Sequence, residues 1–358
     1  MTLLSGTCED RPAQWEMQTC AALTFPLLVD ARSHLRYTGR MREAGAQRRI
    51  DGEGASGLLR AARVIGSVRP WSFSMTAISM ALGTLAAGAE GRLDWALAVL
   101  ALLGTLAQHA ATNLGNDYFD FKNGIDTAGA PSVIGRRHPL VEGTLEPRHV
   151  LGGAIGFWAA AVLIGGVLSL LRGWQIGALT AIGVLAGFFY SAGPLRLKGK
   201  ALGELTAFLM WGPLMVLGAF FVQRSTFSGS LPALLLSVSQ GLWVALVLLA
   251  NNLRDREADA TMGIRTPATL LGRKRAVSLA VVLSVGAYFI VAAAVLLGLL
   301  RAWSLFVFLS APLCVTLLRS FTSPRGVPSN APAAAARTAM VFGLLLVLSL
   351  AVNGITRG

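Results

Sequence analysis

Charge is scarce in this chain. Only 14% of its 358 residues are Asp, Glu, Lys or Arg, against about 25% in an ordinary soluble domain. Acids are scarcer than bases, 18 against 31. Cysteine is almost missing: Cys8, Cys20 and Cys314 have no CxxC spacing, which excludes a disulfide framework and a cysteine zinc site. No zinc-finger spacing and no basic–aromatic pattern is present, so the net charge of +13 does not point to nucleic acid. What the chain has in excess is apolar residues, at 54%, with a mean hydropathy of +0.60. This is the composition of an integral membrane protein, in which a basic excess reports topology and anionic lipid headgroups.

Apolar runs of spanning length recur at 71–89, 93–114, 150–171, 174–193, 202–222, 231–250, 277–299, 302–320 and 336–354. Each has about 18–24 residues, enough for a helix across a ~30 Å hydrocarbon core. The expected fold is all-α and polytopic, with nine transmembrane helices over residues 58–358. Residues 1–57 differ, with Arg32, Arg36, Arg40, Arg42, Arg48 and Arg49 among polar residues. Their apolar run 21–29 contains Pro26 and is too short to span. We read them as a poorly ordered basic cytoplasmic extension, or as an over-long translation start with Met41 and Met75 as in-frame alternatives.

Basic residues alternate between the loops. The first, third, fifth and seventh carry one each: Arg92, Arg172, Arg224 and Arg301. The second, fourth and sixth carry several, including Arg136, Arg137, Arg196, Lys198, Lys200 and the 273–275 run, and the eighth carries Arg319, Arg325 and Arg337. The positive-inside rule then puts the N-terminus in the cytoplasm and the C-terminus outside. Beyond residue 70, Glu90 and Asp94 flank the first outside loop. The remaining acids are Asp117, Asp120, Asp126, Glu142, Glu146, Glu204, Asp255, Glu257 and Asp259, all on the cytoplasmic side. A proton-coupled transporter keeps carboxylates near the midplane; here they gather at one mouth.

Two clusters stand out, "NDYFDFKNGID" (116–126) and "NNLRDREAD" (251–259). Each follows a span. Asn116 and Asp120 are one helical turn apart, as are Asn251, Asp255 and Asp259, so each set shares a face if its helix continues. Like charges on one face repel unless neutralised. Oxygen-only ligands suit Mg²⁺, which binds one or two carboxylates together with substrate phosphate oxygens. Two such clusters at one face therefore suggest Mg²⁺ bridging to a diphosphate. The intervening loop, with Arg196, Lys198 and Lys200, supplies cations for it. A diphosphate at a membrane mouth most naturally carries a lipid tail. Tyr190 is either an interfacial aromatic or a ring facing a substrate cation.

The bland reading of one Asp-rich loop is solvated decoration or a helix cap. Two similar clusters on the same side favour a shared site. Arg254 and Arg256 read first as topology charges, and Glu142 and Glu146 as surface residues.

These motifs, Asn116-Asp117-x-x-Asp120 with Asp126 beyond and Asn251-Asn252-x-x-Asp255-x-x-x-Asp259, resemble those of UbiA-type intramembrane prenyltransferases. The likeness extends over about 65–355, through "VRPWSFSMTAISMALGT", "YSAGPLRLKGKALGE", "WGPLMVLGAFFVQ" and "GIRTPATLLGRKRA". Within that superfamily the chain is most similar to 1,4-dihydroxy-2-naphthoate prenyltransferases of menaquinone synthesis. The family's last acid of the first motif often falls where this chain has Gly124; the acid here is Asp126, as in the naphthoate branch. That branch commonly has an Arg close to His138, a place for Arg136 or Arg137.

The resemblance implies nine helices around a central lipid-open cavity capped by cytoplasmic Asp-rich loops. It implies Mg²⁺, a polyprenyl diphosphate donor and an aromatic acceptor. Asp120, Asp255 and Asp259 would hold Mg²⁺, assisted by Asn116, Asn251 and Asp117. Lys198 and an Arg of the 136–137 pair would contact diphosphate. Tyr190 and Asn252 would line the substrate site, and Asp126 would position metal or a loop cation. Other acceptors (4-hydroxybenzoate, homogentisate) and a secondary transporter of an anionic metabolite stand as the alternatives.

Overall fold

The computed structural model describes residues 64, 66–89, 91–130, 133 and 138–355. The expected extension 1–57, together with Arg136 and Arg137, lies outside the described residues.

Among the described residues the chain is all-helical, with one isolated bridge between Lys200 and Arg265. Among the described residues from 70 onward nine helices follow one another: α1 Phe73–Gly88, α2 Trp95–Lys122, α3 Pro147–Arg172, α4 Trp174–Ser191, α5 Gly203–Gln223, α6 Leu231–Thr261, α7 Pro267–Leu296, α8 Ala302–Phe321 and α9 Ala331–Ile355. All but α1 are long and apolar enough to cross a membrane; α1 has 16 residues and is extended by a 3₁₀ turn at Pro70–Ser72. The first nine residues of α8 are 3₁₀, an unusually long run for that geometry. The chain is thus a multi-pass membrane protein.

Three helices outrun the apolar runs that announced them. The second run stops near 114, yet α2 continues to Lys122; the sixth stops near 250, yet α6 continues to Thr261. The seventh begins earlier, at Pro267, behind a capping box of Thr266 and Thr269. Gly272 interrupts it with non-helical backbone (φ 73°). Hydropathy finds the part of a helix that lies in lipid, whereas the backbone ladder runs on until a stop signal ends it.

The stop signals of α2 and α6 are the same. Gly124 and Gly263 adopt positive φ, 72° and 68°. Behind each, an isoleucine N–H returns to an Asp carbonyl: Ile125 to Asp120 and Ile264 to Asp259, both at 2.9 Å. Each glycine N–H bonds one residue further on, to Phe121 O and Ala260 O, at 3.1 and 3.2 Å. This is a Schellman closure, which needs a residue without Cβ at the left-handed position. It places Asp120 and Asp259 at the same point relative to their helix ends. The sequence echo had paired Asp120 with Asp255 instead.

α6 is the most enclosed span, with 67% of its apolar window buried against 22% in α3 and α4. Around it the main core gathers α1, α5, α7 and α9, with Trp243, Phe220, Phe342 and Leu246 fully buried. α5 reaches α6 through a wide turn at Met210–Leu214, where Pro213 removes a backbone donor and Gly212 leaves helical geometry (φ −87°, ψ −105°). Gly212 packs directly against Gly241 of α6. A Cβ on Gly241 would lie 2.6 Å from the Phe208 carbonyl oxygen and one on Gly212 2.5 Å from that of Ser237.

Gly241→Ala is therefore expected to destabilise the bundle by about 1–3 kcal/mol, because the obstructing atom is backbone. Gly152→Ala, where a Cβ meets nothing within 4 Å, should leave stability level or slightly higher. Thermal melting of the two detergent-solubilised variants separates the cases; equal midpoints would mean the α5–α6 contact is looser than described.

Candidate active site

The ends of α2 and α6 meet the α4–α5 and α6–α7 loops around a cavity of about 580 Å³. Its walls include Asp120 from α2, Asn251, Asn252, Asp255 and Asp259 from α6, Tyr190 from α4 and Lys198 from the α4–α5 loop. Both Asp-rich motifs thus contribute to one cavity, which is the arrangement expected from two clusters at one face. Helix C-termini carry partial negative charge, so two such ends with three carboxylates form a site of strong cation preference.

Chain cations answer part of that charge. Lys198 Nζ donates to Asp120 Oδ2 at 2.7 Å. Arg254 grips Asp255 with Nε and Nη2, both at 2.6 Å, and also donates to Asn251 Oδ1 at 2.9 Å. Asn251 Nδ2 reaches Asp255 Oδ2 at 3.3 Å. Arg254, read from sequence as a topology charge, thus bonds two residues that line the cavity. Asn116 lies just behind the wall and accepts a 2.6 Å hydrogen bond from Ser191 Oγ, itself a lining residue.

Burial alone would lower the Lys198 pKa. Asp120, then Tyr190 and Asp126, outweigh it and hold the ammonium well above its usual range.

The other two acids of the first motif do not line this cavity. Asp117, expected to assist at the metal, forms an ion pair with Arg69, ahead of α1. Its Oδ1 is 3.8 Å from His138 Nε2, and the same nitrogen is 2.9 Å from Asp126 Oδ2. All three of Asp117, Asp126 and His138 are buried. Asp126 sits beyond Gly124 on the loop, as its spacing suggested. Arg69 was not assigned from sequence; its only signal is its place before Pro70 in "VRPW". Its backbone is left-handed (φ 59°, ψ 62°), at a cost of about 1–2 kcal/mol for a residue with Cβ. Arg196 (φ 39°) and Ala201 (φ 58°) share this conformation, so the non-glycine strain among the described residues collects around one end of the bundle, as it does at functional sites.

A buried pair anchors α6. Asn252 Nδ2 donates to Glu204 Oε1 at 2.8 Å, joining the start of α5 to the second motif. Glu204 is 7% exposed, and its Oε2 is enclosed. The sequence marked Glu204 only as a lone acid. A second cavity of about 100 Å³ lies deeper in the bundle among α1–α5. Met80, Ile164, Leu168 and Leu214 line it, with glycines at 104, 165, 183 and 218.

Comparison with known proteins gives the family. Residues 76–346 match the UbiA prenyltransferase family. The chain is 31% identical over 288 residues to the 1,4-dihydroxy-2-naphthoate octaprenyltransferase of Bacillus subtilis, covering 80% of this chain and 91% of that one. It is 34% identical over 232 residues to the UbiA prenyltransferase domain-containing protein 1 of Gallus gallus, covering 64% of this chain and 67% of the other. In structure it is similar to a UbiA homolog from Archaeoglobus fulgidus bound to GPP and Mg²⁺, with a TM-score of 0.57 at 15% identity over 80% of this chain and 99% of that one. The chain belongs to the UbiA prenyltransferase family and is a membrane-embedded enzyme that transfers prenyl groups.

Proposed function

We propose that the protein transfers a polyprenyl group from its diphosphate to 1,4-dihydroxy-2-naphthoate, giving demethylmenaquinol with loss of CO₂. The observation that carries this reading is the single cavity bearing Asp120 of one motif and Asn251, Asp255 and Asp259 of the other, with Lys198 between them. The choice of acceptor rests on the naphthoate enzyme of Bacillus subtilis, similar over nearly its whole length. We read this cavity as lying at the cytoplasmic side of the cell's inner membrane, with the N-terminus cytoplasmic and the C-terminus outside; the alternation of basic loops supports that orientation.

The donor set fits Mg²⁺: hard oxygen ligands only, at two helix C-termini, in a cavity large enough to admit a diphosphate as well. Asp120, Asp255, Asp259 and Asn251 would hold the ion, with Asn116 behind them. Bound there, Mg²⁺ supplies positive charge to the departing diphosphate. Lys198 stays protonated and can turn from Asp120 to diphosphate oxygens. The C1–O bond of the donor breaks, and its electron pair leaves with diphosphate. Tyr190 offers a ring face beside the allylic cation, and the apolar helices around the tail keep water from it. The ring carbon that carries the carboxylate attacks C1. The C–CO₂ bond then breaks and returns its electron pair to the ring, so no proton has to be taken by the protein. This agrees with a site in which no dedicated base stands out from the sequence.

Purified protein with Mg²⁺, a polyprenyl diphosphate and dihydroxynaphthoate is expected to release CO₂ and prenylated product in equal amounts. Chelation of Mg²⁺ should stop the reaction. Asp120→Ala and Asp255→Ala should lower turnover by more than about 100-fold. Diphosphate release that survives both substitutions would remove these residues from the metal site, and turnover only with 4-hydroxybenzoate or homogentisate would replace the acceptor. The electrostatics of Lys198 are checked separately. At about pH 9 an amine-acylating reagent should spare Lys198 in the wild type, because its raised pKa keeps it protonated. Asp120→Asn removes the largest support, leaving only Tyr190 and Asp126 to oppose burial, so Lys198 should be labelled more than in the wild type in peptide mass spectra.

A further inference from the structure

The first Asp-rich motif is divided. Asp120 faces the cavity, whereas Asp117 and Asp126 meet His138 in a buried cluster that does not line it. We infer that Asp126, His138 and Asp117 are positioning residues rather than metal ligands: with Arg69 they fix the end of α2 so that Asp120 faces the cavity. The inference rests on the reading of that cavity as a prenyl diphosphate site.

Hydrogen bonds set the form of His138. Its Nδ1 accepts from the Val141 N–H at 3.4 Å, so the ring proton sits on Nε2, which donates to Asp126 Oδ2 at 2.9 Å. The backbone N–H of His138 donates to Glu142 Oε1 at 3.0 Å. The ring is fully enclosed. On the other side, Asp126 N returns to the Asp120 carbonyl at 3.3 Å. The Asp126 side chain is therefore bonded to His138 while its backbone is bonded to the residue whose carboxylate faces the cavity. Asp117, one turn earlier on α2, ties the same helix end to Arg69 and the entry to α1. A metal ligand needs lone pairs aimed at the ion and the substrate; here Asp117 Oδ1 is aimed at the Arg69 guanidinium and Asp126 Oδ2 at the His138 imidazole N–H.

The two roles differ in what a conservative change does. An Asn at 126 still accepts the His138 N–H through its amide oxygen, and a Gln at 138 can still donate. An Asn at 120 loses the charge that a metal needs. The test is Mg²⁺-dependent binding of geranyl diphosphate to the detergent-solubilised full-length protein, measured by calorimetry with Mg²⁺ varied, and with thermal melting as the folding control. Asp126→Asn and His138→Gln are expected to bind within about fivefold of wild type, with unchanged Mg²⁺ half-saturation. Asp126→Ala and His138→Ala should bind more weakly, at the same Mg²⁺ half-saturation. Asp120→Asn should lose binding by more than about 100-fold. If Asp126→Asn instead shifts Mg²⁺ half-saturation as Asp120→Asn does, Asp126 is a ligand and the inference falls while the function reading stands. A wild-type protein that fails to bind geranyl diphosphate with Mg²⁺ overturns the function reading, and this inference with it.

Discussion

The constraint that governs this molecule is the need to compensate carboxylates held at the ends of two membrane helices. A buried carboxylate costs several kcal/mol unless it is paired and hydrogen-bonded, and a helix C-terminus adds its own negative end. The chain meets this from four different places: three cations, Arg69 before α1, Lys198 between α4 and α5 and Arg254 on α6, and the His138 N–H on the loop after α2. Arg254 answers its own neighbour Asp255, but Arg69 and Lys198 lie 48 and 78 residues from the acids they meet, so the bundle must be assembled before those charges are answered. The apolar contacts around α6 make that assembly possible, and the close approach at Gly212 and Gly241 sets how near α5 can bring Glu204 to Asn252.

Much of this was legible in the amino-acid sequence, for a physical reason. Spans in lipid must be nearly free of charge, so the rare acids are conspicuous, and all nine apolar runs became helices. The two motifs were found because Asp120 and Asp255 each follow a span and each have an Asn one turn earlier. What was not legible depends on the third dimension. Hydropathy ended α2 about two turns early and α6 about three, because their last residues leave the lipid while staying helical. Arg254 looked like one more basic residue at a basic face, since nothing in its spacing says that it folds back on Asp255. Arg69 is 48 residues from the acid it meets, and His138 reaches Asp126 across a 12-residue separation that has no helical or strand period. The equivalence of the motifs was also misaligned by one turn: the Asn–Asp spacing suggested Asp120 with Asp255, whereas the shared glycine closure pairs Asp120 with Asp259.

That closure explains why glycine follows each motif. The returning Ile125 and Ile264 amides fix the direction of the chain just past the last carboxylate, and only a residue without Cβ takes the left-handed step without strain. The two helix ends are therefore terminated with the same geometry, although the segments beyond them differ: one leads to Asp126 and His138, the other to the capping box that starts α7.

The bridge between Lys200 and Arg265 has a mechanical meaning. The Ala201 N–H donates to the Arg265 carbonyl at 2.8 Å, so the loop that carries Lys198 is stitched to the loop that follows Asp259. Three chain segments surround the cavity mouth, but two of them are joined into one piece. The segment after α2 is tied to that piece by side chains instead, Lys198 to Asp120 at 2.7 Å and Arg196 to Asn123 at 3.0 Å, so the rim is stitched by backbone on one side and latched by side chains on the other.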